Sequence, residues 1–223
     1  MEIWKRSKRL QAIAALIPDN QRVADIGGDH AFLLINLAKE GRLAYGIVGE
    51  VNKGPYENAK RNVERMGVQH LIDVRLGDGL SVLRQGEVDF LVMSGMGGSL
   101  ITNILEQGKA KLSQIKGMVL QPNVNAKSVR SWLRNHDWQL IKETIVEEAG
   151  HRYEVLVSAP GTNPELYRDE LVSEELLLEI GPLLWKEKHP LLAHRLVEEL
   201  RRKKAMLKQL EKGSTETAQK KWN

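Results

Sequence analysis

Short apolar runs alternate with segments of helical period along the first 136 residues of the chain. The helical segments are predicted at residues 31–40, 55–66, 100–106 and 126–136, and an amphipathic helix is predicted before them at about residues 4–17. Five apolar runs predict strands: Arg22–Ile26, Tyr45–Gly49, Ile72–Leu76, Asp89–Met93 and Gly117–Gln121. Strands that alternate with helices favour an α/β fold with a mainly parallel sheet that is covered on both faces.

The pattern then changes twice. Residues 138–147 and 153–158 alternate apolar and polar positions, which predicts an antiparallel pair that closes the sheet. Beyond residue 160 the pattern is helical to residue 212, with leucine at every fourth position over Leu192, Leu196 and Leu200. We expect a first domain over 1–159, a helical domain with an antiparallel coiled-coil hairpin over 160–212, and a disordered polar tail over 213–223.

Composition excludes several classes of protein. The chain of 223 residues is 42% hydrophobic and 28% charged, which is typical of a globular protein. It has no cysteine, so disulfides, thiolate metal sites and cysteine nucleophiles are excluded. No apolar run approaches the roughly 20 residues that span a bilayer, and the first segment is too short and too amphipathic for a signal peptide. We therefore expect a soluble cytoplasmic protein.

The first predicted strand ends in a glycine turn with the sequence D-I-G-G-D-H-A at residues 25–31. The NAD fingerprint G-x-G-x-x-G is not met, because Gly27 and Gly28 are adjacent and Phe32 takes the place of the third glycine. Asp25 and Asp29 suit the ammonium and sulfonium of S-adenosylmethionine better than a pyrophosphate. A tight strand-to-helix turn with Asp29 as helix cap explains this segment equally well.

Three further segments follow the next strands in order. Glu50 ends the second strand, where an acid can accept both ribose hydroxyls. Asp78 lies in the segment G-D-G-L after the third strand. Asp-Gly turns are also common at sites that bind no ligand. The fourth ends in G-M-G-G. Together they predict a site for S-adenosylmethionine with these cofactor-binding residues: Asp25, Gly27, Gly28, His30, Glu50, Val51, Gly77, Asp78, Gly79, Leu80, Gly95, Met96 and Gly97.

The fifth strand ends in Gln121, Pro122 and Asn123, which we predict to bind the substrate. The two amides offer paired donors and acceptors that suit the Watson–Crick edge of an adenine, while a polar loop without a ligand is the alternative. Asp29 and Asn123 are the candidate catalytic residues. No metal site is expected, because the histidines lack metal-binding spacing.

A basic run, Arg201-Arg202-Lys203-Lys204, lies in the C-terminal helical segment. Phosphate contacts depend on such clusters of Lys and Arg, so the run is a candidate for binding RNA. The solvated face of a coiled coil would carry the same charges, and the sequence leaves both interpretations open.

Taken together, these segments resemble the bacterial tRNA (adenine-22-N1)-methyltransferase family. The resemblance is carried by residues 25–33, 49–57, 74–80, 95–98 and 120–123, and it extends from about residue 9 to residue 157. It implies a class I methyltransferase (Rossmann-like) fold, S-adenosylmethionine as donor and N1 of adenine 22 in tRNA as acceptor. Gly28 replaces an expected serine, and Phe32 replaces an expected tyrosine, which removes a hydroxyl near the donor site.

Two other classes of function stay open from the sequence. One is a methyltransferase that acts on another RNA, a small molecule or a protein, against which the basic C-terminal helix argues. The other is an RNA-binding module without catalysis, against which the intact acids Glu50 and Asp78 argue.

Overall fold

A seven-stranded sheet in the order β3-β2-β1-β4-β5-β7-β6 forms the centre of the molecule. The computed structural model describes residues 7–219, apart from the side chains of Asp29 and of residues 209–219. The first five strands are parallel, and β7 runs antiparallel to both β5 and β6. Their bounds are β1 Gln21–Ile26, β2 Leu43–Glu50, β3 Ile72–Leu76, β4 Phe90–Gly97, β5 Gly117–Val124, β6 Trp138–Glu148 and β7 His151–Pro160.

Helices cover both faces of the sheet and bury two apolar layers. Strand residues alternate between the layers, so that Met118 and Leu120 of β5 face one layer and Val119 faces the other. Helices α1, α2 and α3 cover the Val119 face, and α4 and α5 cover the opposite face. The helices are α1 Lys8–Ala15, α2 Phe32–Lys39, α3 Lys53–Arg65, α4 Gly98–Gln107 and α5 Ala126–Asn135. The predicted α/β fold with a mainly parallel sheet is confirmed.

The ends of the parallel strands meet at one edge of the sheet. The amide of Gly27 donates to the carbonyl of Gly49 (2.8 Å), and the amide of Gly77 donates to the carbonyl of Glu50 (2.8 Å). The glycine turn after β1 and the acidic segments after β2 and β3 are therefore neighbours in space, as the order of the motifs predicts.

The described residues beyond β7 form a short 3-10 helix, Pro164–Tyr167, and three α-helices, α6 Glu174–Ile180, α7 Pro182–Lys186 and α8 Leu192–Gln219. A coiled-coil hairpin needs two long helices, and in the described part of the chain the first arm is divided between α6 and α7, of seven and five residues. Gly181 and Pro182 cause the break, because Gly181 has a φ of 96° and proline cannot continue a preceding helix. Leu178 also packs in the same apolar layer as the sheet.

The last helix is longer than the sequence suggests. It continues through Gly213 to Gln219 in the structure, whereas the sequence predicts a disordered tail from residue 213. One glycine inside a helix costs only about 1 kcal/mol relative to alanine, and the following residues are compatible with a helix. Residues 220–223 of the predicted tail lie outside the described residues.

Candidate active site

A cavity of about 650 Å³ opens at the carboxyl ends of β1, β4 and β5. On one side it is lined by the glycine turn after β1 and by the end of β4. The opposite side consists of the start of α1 and the tip of the β6–β7 hairpin. Its lining includes Ser7, Arg9, Asp25, Gly27, Gly28, His30, Phe32, Ser94, Gly95, Asn123, Glu148, His151 and Tyr153. A crevice of this size at this edge is where α/β sheets bind small ligands.

Asp25 is the most strongly perturbed acid of this cavity. It is buried at the end of β1, and its Oδ1 atom has no hydrogen-bond partner among the described residues. Burial, and then the charge of nearby Glu50, raise the pKa of Asp25 to about 7, while Arg9 acts in the opposite direction. A buried carboxylate oxygen without a donor is suited to a cationic or hydrogen-bonding ligand, which removes the cost of its desolvation.

The turn that follows Asp25 keeps the backbone close to the cavity. Gly27 has a φ of 69°, and His30 and Ala31 also lie in the left-handed region, at 64° and 60°. At Gly28 a Cβ atom would lie 2.5 Å from Oδ2 of Asp25. The serine expected at position 28 would therefore require a different position of the Asp25 carboxylate, so Gly28 and the observed rotamer of Asp25 are matched.

A second hollow, of about 280 Å³, follows β3 beside the C-terminal end of α4 and the loop after it. Asp78, Gly79 and Leu80 line it together with Ile104, and Asp78 is exposed to solvent. Val51 is also exposed (60%) directly after Glu50. Acidic and apolar groups are thus presented side by side at the ends of β2 and β3, which is suited to a nucleoside.

The position of Gln121 differs from the expectation that its side chain contacts the substrate directly. Its side chain is fully buried, and its Oε1 accepts hydrogen bonds from Arg9 (2.6 Å) and from the amide of Gly95 (3.1 Å). Its Nε2 donates to Oδ1 of Asn123 (3.0 Å), whose Nδ2 donates to the carbonyl of Gly95 (2.7 Å). In this structure Gln121 fixes the exposed Asn123 and the loop after β4. Pro122 is buried beside it.

The far wall of the cavity comes from residues that the sequence reasoning missed. Glu148, at the hairpin tip, accepts hydrogen bonds from the hydroxyl of Ser7 (3.1 Å) and from the amide of Arg9 (2.8 Å), and so caps the start of α1. The guanidinium of Arg9 lies over the ring of Tyr153, 5.3 Å from its centroid. The only sequence signal was the basic start of the first helix, which carries no information about its partner.

The remaining predicted residues divide into two groups. Met96 and Gly97 end β4 near the cavity, with Met96 partly buried, whereas the side chain of Asp29 lies outside the described residues. The basic run from Arg201 to Lys204 is exposed on α8. Of that run, Arg202 lines a cleft of about 330 Å³ that shares Asn123, His151 and Tyr153 with the cavity. The start of α8 therefore lies next to the site.

Comparison with known proteins decides the family. The sequence model of TrmK, tRNA (adenine(22)-N(1))-methyltransferase, matches residues 23–223. The chain belongs to this family. It is a tRNA (adenine(22)-N1)-methyltransferase, and the activity and family predicted from the sequence are confirmed.

Relatives agree over most of the chain. The tRNA (adenine(22)-N(1))-methyltransferase of Bacillus subtilis is 41% identical over 94% of this chain and 87% of its own. The crystal structure of the B. subtilis M1A22 tRNA methyltransferase TrmK covers 91% of this chain and 86% of its own, at 41% identity and a TM-score of 0.85. Streptococcus pneumoniae Sp1610, solved in complex with S-adenosyl-L-methionine, is 36% identical, with 88% of each chain covered and a TM-score of 0.81.

Two features are absent from the described residues. Among them, no helix is both long and apolar enough to cross a membrane. The same part of the chain contains no group of three or more His, Cys, Asp or Glu side chains that could hold a metal ion.

Proposed function

We propose that the cavity at the ends of β1, β4 and β5 is where S-adenosylmethionine and adenine 22 of tRNA meet. The observation that carries this proposal is Asp25, whose buried carboxylate lacks a hydrogen-bond donor on one oxygen and lines the cavity. The same compound is bound in the Streptococcus pneumoniae relative. When bound, S-adenosylmethionine supplies an electrophilic methyl group on a cationic sulfur.

The donor is held by residues at the ends of the first four strands. Asp25 accepts hydrogen bonds from its amino-acid end, for which the turn with Gly27 and Gly28 leaves room. Glu50 accepts from the ribose hydroxyls with Val51 beside it, and Asp78 accepts from the adenine amino group. The complete set adds His30, Gly77, Gly79, Leu80, Gly95, Met96 and Gly97.

The acceptor is oriented by Asn123. Adenine N1 carries an in-plane lone pair and attacks the methyl group without prior loss of a proton, so the enzyme acts mainly by alignment, which supplies up to about 7–11 kcal/mol. Oδ1 of Asn123 accepts one hydrogen bond from Gln121 and has a second lone pair for the adenine amino group. Gln121 and Pro122 hold Asn123 in place, and Asp29 stabilises the positive charge that develops on the base.

The tRNA body is held by α8. Residues 1–159 perform catalysis, and residues 160–212 form a helical unit that presents Arg201, Arg202, Lys203 and Lys204 to the phosphates. The residues of α8 beyond the sheet are also the candidate for coiled-coil packing. The enzyme is proposed to act in the cytoplasm, where tRNA is modified.

A methyl-transfer assay with two variants tests these roles. Asn123→Ala should lower the turnover number roughly 10- to 100-fold through loss of alignment, with donor affinity retained. Asp25→Ala should weaken donor binding, as measured by titration calorimetry. Loss of donor binding in Asn123→Ala would contradict its assignment to the acceptor, and unlabelled position 22 in the wild-type product would contradict the proposed acceptor.

A further inference from the structure

Tyr153 lines the cavity, but the contacts proposed for the donor and the acceptor give it no role. It lies on β7, and the paired section of β5 and β7 reaches only from Leu156 to Ser158. Tyr153 is therefore on the part of the hairpin that extends past β5, where its half-buried ring lines the cavity. The side chain has no core position that would explain an aromatic residue by packing alone, since the buried apolar layers do not include it.

The same residue lies where two hollows meet. The cavity and the cleft beside α8 share Asn123, His151 and Tyr153, and the cleft is bordered on its other side by Arg195 and Arg202. A nucleotide that leaves a tRNA held on α8 would reach Asn123 and Asp25 by passing this point. We infer that the ring of Tyr153 is the platform on which the target adenine stacks during methyl transfer.

The chemistry of the acceptor explains why such a platform is needed. N1 lies on the pairing edge of adenine, so the base must be unpaired and removed from its neighbours before it can react. An aromatic ring replaces the lost stacking, and stacking on a protein side chain is worth roughly 5- to 150-fold in affinity per base. Asn123 would fix the edge of the base while Tyr153 fixes its plane, and the two restraints together orient N1.

Arg9 covers the ring of Tyr153 while no base is bound. Its guanidinium lies 5.3 Å from the ring centroid and donates to Gln121. A cation over an aromatic ring is worth about 2- to 30-fold in an equilibrium constant, depending on how far the pair is desolvated, and the stacking of a purine is worth roughly 5- to 150-fold. Adenine can therefore compete with Arg9 for this face of the ring, and Arg9 remains close enough to the site to contact the nucleotide's phosphate or base.

Steady-state kinetics with three variants tests the platform. Tyr153→Ala should lower kcat/KM for tRNA roughly 10- to 100-fold, while Tyr153→Phe stays within about 2-fold because the ring is kept. The donor Kd should be unchanged in both. Tyr45→Ala is the matched control, since Tyr45 is a partly buried tyrosine of β2 that packs on the core and does not line the cavity.

A fluorescent base separates stacking from a merely structural role. With 8-vinyladenine, a fluorescent base that keeps N1 and the 6-amino group of adenine, at position 22 of the tRNA, the wild-type enzyme and Tyr153→Phe should keep the bound probe quenched, and Tyr153→Ala should leave it bright. The inference is overturned if Tyr153→Ala matches Tyr45→Ala in kcat/KM, if the probe is equally quenched in both, or if the donor Kd rises in step with the loss of activity. Since the wild-type methylation reaction is measured first, failure of the proposed acceptor would be seen separately.

Discussion

Asp25 combines a cost to folding with a proposed use in binding the donor. Its carboxylate is buried beside Glu50, and burial raises the pKa of Asp25 to about 7. A carboxylate whose ionised form is destabilised in the free protein is stabilised most by a ligand that supplies a positive charge or hydrogen-bond donors. We regard this as the reason why the site is built around an acid that the fold does not neutralise itself.

The affinity for S-adenosylmethionine should therefore depend on pH through Asp25. Binding favours the ionised carboxylate, so below pH 7 the Kd should rise by up to about 10-fold per pH unit. Titration calorimetry between pH 5.5 and 8.5 measures this slope. Asp25→Asn should bind weakly with a flatter profile, and an equally steep profile in that variant would assign the titration to another group.

The stability of the donor-free enzyme has the opposite dependence. Because the folded-state pKa of Asp25 lies above its ordinary value of 3.8, the folded state binds more protons between these values. The contribution of Asp25 to stability is then present at low pH and is lost as the pH rises towards 7, by at most about 1.4 kcal/mol per unit. Unfolding of wild type and Asp25→Asn over this range gives the difference.

At the scale of single residues, the sequence predicted the lining of only one side of the cavity. Asp25, Glu50 and Asp78 could be predicted as neighbours, because each lies at the carboxyl end of a strand of a parallel sheet or just after it. The partners Ser7 and Glu148 are 141 residues apart, and their contact depends on how far the β6–β7 hairpin extends beyond its neighbour. No local pattern encodes that length.

Among the elements, the docking of α6 and α7 depends on one buried cation. Arg130 of α5 is fully buried and donates to Glu143 (2.6 Å), to Glu154 and to the carbonyl of Leu178 (3.1 Å). Glu143 in turn accepts from the amide of Leu183 (2.8 Å) at the start of α7. The charges and the helix end are satisfied together, which is what a buried ionic group requires.

Removal of this cation should be severely destabilising. Arg130→Met leaves the buried Glu143 without its cationic partner and Glu154 with Arg195 alone, and we expect a loss of about 3–5 kcal/mol in the free energy of unfolding. Arg168→Met is the matched control, because Arg168 pairs with Glu165 in solvent and should change stability by less than about 1 kcal/mol. Denaturant unfolding compares the two, and equal midpoints would contradict the role given to Arg130.

Leucine periodicity shows why the C-terminal elements were only partly predictable. The repeat over Leu192, Leu196 and Leu200 correctly indicates a helix, but it does not specify the partner. In the structure Leu192 is buried against the helices before it, whereas Leu200 is 53% exposed. The change from packed to exposed positions within one helix follows from where the sheet ends, which is a property of the tertiary structure.

For the whole molecule, the proposed role of α8 is to connect the catalytic unit with the RNA. It is fixed to β7 by ion pairs of Arg195 with Glu154 (2.9 Å) and of Glu198 with Arg152 (2.7 Å). The basic residues further along α8 are exposed. These ion pairs set the direction of the basic residues relative to the cavity, so the proposed contacts with the tRNA body and with the target base would be made at a defined separation.

Neutralising two of these charges should weaken tRNA binding without affecting chemistry. Arg201→Gln with Arg202→Gln should raise the Kd for tRNA and reduce the slope of log K against log salt by roughly 1–2. Lys60→Gln with Arg61→Gln, two exposed cations of α3, is the matched control. If the slope of log K against log salt is the same in both double variants, α8 has only a structural role.

The contact of Ser7 with Glu148 has a consequence for synthesis on the ribosome. The first described helix is tied to the tip of a hairpin that is made 141 residues later. Closing so long a loop is slow compared with the formation of neighbouring strands. The parallel sheet can therefore assemble while the chain is still growing, but the hairpin wall of the cavity is completed only after the hairpin emerges. A nascent chain with β1 to β4 in place already presents the acids that are proposed to hold the donor, yet it lacks the wall that is proposed to face the acceptor base.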